Sequence, residues 1–145
     1  MTIIFELKNK LQKQNISLNK PATWQEVLAF EYKYQLRLSP ILRNYFLEFN
    51  GTGEGNMADD YFSFFSLAQF RLVESISNSN SDKILYSNCF VFSDYLVWCW
   101  GYAVELDQIG SDGVVYQVAG TPKRKVADSF TEFLKLYLID SEGIL

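Results

Sequence analysis

The feature that most constrains this chain is a change of apolar period at Asn50-Gly51. Before that point apolar residues recur every three or four positions; after it they alternate or bunch into short runs. Ile3, Ile4, Leu7 and Leu11 predict an amphipathic helix over residues 2–13. Thr23-Trp24-Gln25-Glu26 is a capping-box sequence, in which Thr23 and Glu26 satisfy each other's backbone amides. Val27, Phe30, Tyr34 and Leu38 continue from it as a second stripe. Ser39-Pro40 opens a third helix, with serine as cap and proline at the first position, where a missing N–H costs nothing. Leu42, Tyr45, Phe46 and Phe49 line it, and Asn50-Gly51 ends it, both tolerating a left-handed terminus.

Beyond the glycines the chain reads mainly as strand and turn. Tyr61–Phe65 predicts a short strand, Leu67–Ile76 a short helix, and the Ser/Asn run 77–81 a loop. Cys89–Ser93 is apolar and β-prone. Trp98–Leu106 alternates, with Trp98, Trp100, Tyr102, Val104 and Leu106 on one face and Cys99, Gly101, Ala103 and Glu105 on the other. Turns at 111–113 and 120–122 bracket a strand at Val114–Val118, and Arg124–Ala127 reads as an edge strand. A last helix, capped by Asp128 or Ser129, carries Phe130, Phe133, Leu134, Tyr137 and Leu138. Helices first, an antiparallel sheet in the middle and a C-terminal helix on one face of that sheet make an α+β fold. The 145 residues suit one domain with a core of its own.

Histidine is absent. That removes Ser-His and Cys-His nucleophile pairs, histidine-ligated metals and histidine pH switches. Cys89 and Cys99 match neither a redox C-x-x-C nor a zinc set, and both fall in apolar runs where a thiol acts as a small hydrophobe. Glu6, Lys8 and Lys10 break up the N-terminal stretch, so it does not read as a signal peptide. The longest uncharged apolar run, Tyr95 to Val104, is too short to span a bilayer. A cytoplasmic chain without membrane attachment is expected.

Motifs that bear on chemistry are weak. Gly51-Thr52-Gly53-Glu54-Gly55 has Asn56 where a dinucleotide fingerprint needs its third glycine, follows a helix rather than a strand, and lacks the Lys-Ser/Thr of a phosphate loop. Glu31-Tyr32-Lys33 resembles a nuclease Glu-x-Lys but lies within a helix. Glu105 and Asp107, two apart on a strand, share a face and could approach a cation, yet further oxygen ligands are missing. The Lys123-Arg124-Lys125 cluster fits a guarded sheet edge better than a phosphate contact. No catalytic residue, metal or cofactor is expected, and nucleic acid is not an expected partner.

Charge gives the candidate binding surface. The net charge is −4, and residues 51–122 carry nine acids against Arg71 and Lys83 alone. An acidic middle steers a basic partner. The candidate partner-binding residues are Glu54, Asp59, Asp60, Asp94, Glu105, Asp107 and Asp112, with Trp98 and Trp100. Those two tryptophans and Tyr102 are either the packed face under the helices or an exposed recognition patch. In the second case the aromatic face could also support a homodimer.

The order of these signals resembles the SUKH superfamily, which includes yeast-type cell-wall assembly regulators and bacterial immunity proteins. The matching positions are Trp24, Phe30-Glu31, Leu38-Ser39-Pro40, Asn50-Gly51, Tyr61 to Leu67 and Phe92-Ser93-Asp94. They continue through Gly101-Tyr102 and Gly113-Val114-Val115-Tyr116 to Ser129-Phe130-Thr131-Glu132-Phe133-Leu134. The resemblance covers about residues 20–138; Ser39, inserted in the usual Leu-Pro step, is one departure. It implies a protein-binding module without catalysis, with no catalytic residues to carry over. Bacterial members of this kind neutralise a toxin, often a nuclease or deaminase; the expected partner is then a basic toxin domain encoded nearby. The alternative is a regulatory adaptor like the cell-wall assembly regulators.

Overall fold

The computed structural model describes residues 2–53, 55–76, 87–119 and 124–145. Helix α1 (Ile3–Gln12) starts where Thr2 accepts a hydrogen bond from the Phe5 amide, and it buries Ile4, Leu7 and Leu11. Helix α2 (Trp24–Tyr34) has the complete Thr23/Glu26 capping box and buries Val27 and Phe30. Helix α3 (Pro40–Asn44), capped by Ser39, widens into a π-helical turn over Tyr45–Phe49. Asn50 then turns left-handed at φ 61°, and Gly51 follows at φ 88°. A Cβ on Gly51 would lie 2.5 Å from the Phe64 carbonyl oxygen, so this glycine lets the helix end press against the first strand.

The sheet is antiparallel. Its strands are β1 (Phe62–Phe64), β2 (Arg71–Leu72), β3 (Cys89–Tyr95), β4 (Trp100–Glu105), β5 (Val115–Val118) and β6 (Arg124–Ala127). The order is β1-β3-β4-β5-β6, and β2 pairs with β3 on the same edge as β1. Helix α4 (Phe130–Ile139) is capped by Ser129, which accepts from the Glu132 amide.

The helices cover one face of the sheet, hereafter the first face. Phe62, Phe64, Phe90, Phe92, Tyr102 and Val104 point there and join α1–α4 in one buried cluster. Rings interlock across the layers: Phe92 lies 5.0 Å from Phe130 and 5.1 Å from Phe133, and Phe62 lies 5.0 Å from Tyr137. The second face carries a smaller cluster of Phe65, Val73, Cys89, Val91, Ala103 and Val118.

Three expectations need correction. Leu67–Ile76 is not a helix: Ser66 and Gln69 close a turn, Arg71 and Leu72 pair with β3, and only Val73–Ser75 forms a 3₁₀ turn. Pairing with an unsatisfied strand edge outweighs a marginal helical preference here. The Trp98–Leu106 strand begins at Trp100, because Leu96, Val97 and Trp98 are all left-handed (φ 49°, 51° and 67°) and form the β3–β4 hairpin turn, closed by the Cys99 amide on the Tyr95 carbonyl. Cys99 therefore lies exposed in a turn, whereas Cys89 is buried in β3. The expected loop at 77–81 and the turn at 120–122 lie outside the described residues.

Candidate functional site

The hairpin turn decides the fate of the aromatic strand face. Trp100 and Tyr102 point to the first face, where Trp100 stacks on Tyr95 at 4.8 Å and its indole N–H donates to the Tyr102 hydroxyl oxygen at 3.0 Å. Tyr102 is fully buried and donates to the Ile144 carbonyl. Trp98 does not share that face. The left-handed turn carries it across to the second face, where its ring lies 5.4 Å from Phe65 and 3.5 Å from the place a Gly101 Cβ would occupy. It stays 41% exposed.

Beside Trp98 is a cavity of about 420 Å³. One wall is formed by Thr52, Gly53, Gly55, Asn56 and Met57. Thr52 pins that wall to β1, donating its amide to the Phe64 carbonyl at 2.9 Å and accepting the Phe64 amide on its hydroxyl at 3.1 Å. Asn19 holds the same wall from outside through the Asn50 and Thr52 carbonyls, each at 2.8 Å. Gln69 and Arg71 form the far side, and Val97 and Trp98 close the top.

Asp94 lines this cavity from β3. It is only 5% exposed, and its Oδ1 has no hydrogen-bond partner. It faces the second side of the sheet because it pairs across from Gly101, beyond a bulge between Val91 and Ser93. Burial pushes its carboxyl above the usual range, and a hydrogen bond from the Trp98 amide offsets part of that. Arg71 also lines the cavity, but the ion pairs among the described residues are Lys10–Asp60, Glu31–Arg43 and Lys125–Asp128, so Asp94 has no basic neighbour in salt-bridge range.

The other candidate acids are dispersed. Asp60 pairs with Lys10 at 3.1 Å, and the same ammonium sits 3.8 Å from the centre of the Tyr137 ring. Asp59 is exposed, and its backbone amide donates to Gln14. Glu105 is exposed on β4 and accepts from Tyr116 at 3.5 Å. Asp107 is tied into a tight turn, its Oδ1 accepting the amides of Ile109, Gly110 and Ser111. Hydrogen bonds from Ser111, by hydroxyl and then amide, lead the causes that hold its carboxyl below the usual range. Glu105 and Asp107 are thus engaged separately, not as a pair. Asp112 caps α4, accepting the Phe130 and Thr131 amides and the Thr131 hydroxyl. Glu54 lies outside the described residues.

Of the nine candidate residues, the described structure brings Asp94 and Trp98 together in one cavity. Among the described residues no cluster of three or more Cys, Asp or Glu side chains could hold a metal, and no helix is long and apolar enough to cross a membrane. Sequence reasoning missed a second surface. Trp24, Leu28 and Tyr32, spaced by four along α2, are 52%, 54% and 80% exposed. Their spacing was a usable signal, since it runs down the helix side away from Val27 and Phe30.

Comparison with known proteins agrees with this architecture. No curated protein matches the chain. The profile of the SMI1 / KNR4 family (SUKH-1) matches residues 21–136, from the approach to α2 through most of α4. The match spans α2, α3, the sheet, the cavity between β1 and the β3–β4 turn and most of α4, leaving α1 outside it, and the chain belongs to the SMI1 / KNR4 (SUKH-1) family.

Proposed function

We propose that this chain is a non-catalytic protein-binding module that acts as an immunity protein, neutralising a toxin domain of nuclease or deaminase type in the cytoplasm. The observation that carries this reading is Asp94: a buried carboxylate with an unpaired oxygen and no ion pair among the described residues, beside an exposed tryptophan. Such a group costs free energy in the isolated protein and is compensated by a basic partner. The acidic excess of residues 51–122 steers a positive surface toward it. Membership of the family supports a binding role, and the cavity offers no nucleophile-base pair to argue for catalysis.

The exposed Trp24–Leu28–Tyr32 stripe favours a second reading. It lies on a helix of the first face, across the sheet from the cavity. A protein with two separate contact surfaces can bridge two partners, as a regulatory adaptor does.

Capture of the tagged chain's partners from its native lysate at low and moderate salt separates the readings. The immunity reading expects one basic domain in near-equal amount, toxic when expressed alone and harmless when co-expressed with this chain. A partner without toxicity, or a set of signalling or assembly proteins, overturns it in favour of the adaptor. Return of the chain alone, as a homo-oligomer, overturns both.

A further inference from the structure

The cavity beside Asp94 has a more specific chemistry than a generally acidic surface. Its volume of about 420 Å³ is far more than an ammonium group needs. It combines a carboxylate oxygen that lacks a donor with an aromatic ring at the mouth. A planar guanidinium meets both demands, because it stacks on an indole face while its edge donates to a carboxylate. We propose that this pocket receives an arginine side chain presented by the partner protein, with Asp94 as hydrogen-bond and charge acceptor and Trp98 as stacking wall. The inference rests on the protein-binding reading and holds for either kind of partner.

Two details sharpen it. Asp94 lines the cavity, but its Oδ1 is closed off from water, so a guanidinium reaches it only if the lining shifts. The part of the wall that must give is the Val97–Trp98 turn, which is exposed and strained: three successive residues hold left-handed backbone, one of them a β-branched valine. Arg71 is the second detail. It lines the same cavity without pairing to Asp94, so its charge, close to the site, opposes an incoming cation.

The test is an amide-resolved NMR titration of the intact chain with N-acetyl-arginine methylamide. The lysine analogue and the uncharged citrulline analogue serve as controls. The arginine probe is expected to shift the Asp94, Trp98 and Gly101 amides saturably, the lysine probe more weakly, and the citrulline probe not at all. Asp94→Asn keeps the shape of the side chain and should weaken arginine binding at least about ten-fold, the loss expected for one charge-assisted hydrogen bond. Arg71→Ala should strengthen it several-fold, about the effect of removing one nearby like charge. Trp98→Ala, on an exposed turn, supplies an independent variant with weakened binding should Asp94→Asn disturb the fold. Equal shifts with citrulline, undiminished binding in both pocket variants, or shifts confined to other surfaces would overturn the proposal. Arginine binding in the pocket of a chain whose captured partners are not toxic would uphold this inference while the immunity reading fell.

Discussion

The two faces of the sheet solve different problems. On the first, large rings meet helices and most of their polar atoms are engaged: Trp100 donates to Tyr102, Tyr102 to the Ile144 carbonyl and Tyr45 to the Phe65 carbonyl, while the buried Tyr137 hydroxyl is left unpaired. On the second, small strand residues (Val91, Gly101, Ala103, Val118) lie beside the rings of Phe65 and Trp98, and a carboxylate is buried there with one oxygen unpaired. The group left unpaired on the first face is a neutral phenol inside a ring-filled core. The second face gives up stability at one position, which is what a binding site does when the ligand supplies the missing partner.

The largest expected effect breaks the first face. Phe92 touches Phe130 and Phe133 from the centre of β3 and is fully buried. Phe92→Ala should cost about 3–5 kcal/mol in denaturant unfolding, from lost burial plus a cavity that the ring lattice cannot close. Trp98→Ala removes a ring of similar size from the second face but should cost only about 1 kcal/mol, because that ring is partly exposed. Equal losses would mean that Trp98 is structural and that the comparison between the faces is wrong.

Much of the first face was legible in the sequence, because its signals are local. Thr23, Ser39 and Ser129 cap helices three residues away, and the apolar stripes of α1, α2 and α4 need only the helical period. The second face was less legible, and the reasons are physical. The hairpin turn at 96–99 contains no Gly, Asn, Asp or Pro, so nothing interrupts the apolar run, and alternation carried the strand two residues too far. That slip placed Trp98 on the wrong face. The cavity joins Thr52, Gly53 and Met57 with Gln69, Arg71, Asp94 and Trp98, which only the pairing of β1 and β2 with the same edge of β3 brings together. Composition found the acids but could not tell that Asp107 and Asp112 are spent on a turn and a helix cap. The Phe30-Glu31 pair carried part of the family resemblance without revealing Glu31's structural work. Its carboxylate binds Arg43 in two places and accepts the Leu38 amide at 2.7 Å, locking α2 to α3.

A smaller effect, opposite in sign, is expected at the turn. Val97 is 75% exposed at φ 51°, a conformation that penalises a β-branched side chain and does not penalise glycine. Val97→Gly should therefore stabilise the protein by about 1 kcal/mol, since little burial is lost and the left-handed strain is relieved. An unchanged or lower unfolding midpoint would show that the turn is held without strain and has no stored strain with which to yield to an incoming side chain.

The smallest effect is the sharpest, because its sign depends on pH. Burial raises the carboxyl of Asp94 above its ordinary value of 3.8 in the folded protein. The folded state therefore keeps a proton that the unfolded state releases, and stability falls as pH rises through the folded value. Below pH 3.8 both states hold the proton and the cost of the buried charge is absent. Above the folded value that cost is complete. Asp94→Asn removes the charge, so the variant should unfold at a higher denaturant midpoint than the wild type at neutral pH, with the gap narrowing as the solution is acidified. Asp107 provides the contrast, since hydrogen bonds hold its carboxyl low; Asp107→Asn should destabilise at neutral pH, by an amount that fades as pH falls through the folded value. Opposite signs at these two acids would separate a carboxylate used to build the fold from one that weakens it. If Asp94→Asn instead destabilised at neutral pH, the buried oxygen would already be satisfied within the chain, leaving no vacancy for a partner's arginine to fill.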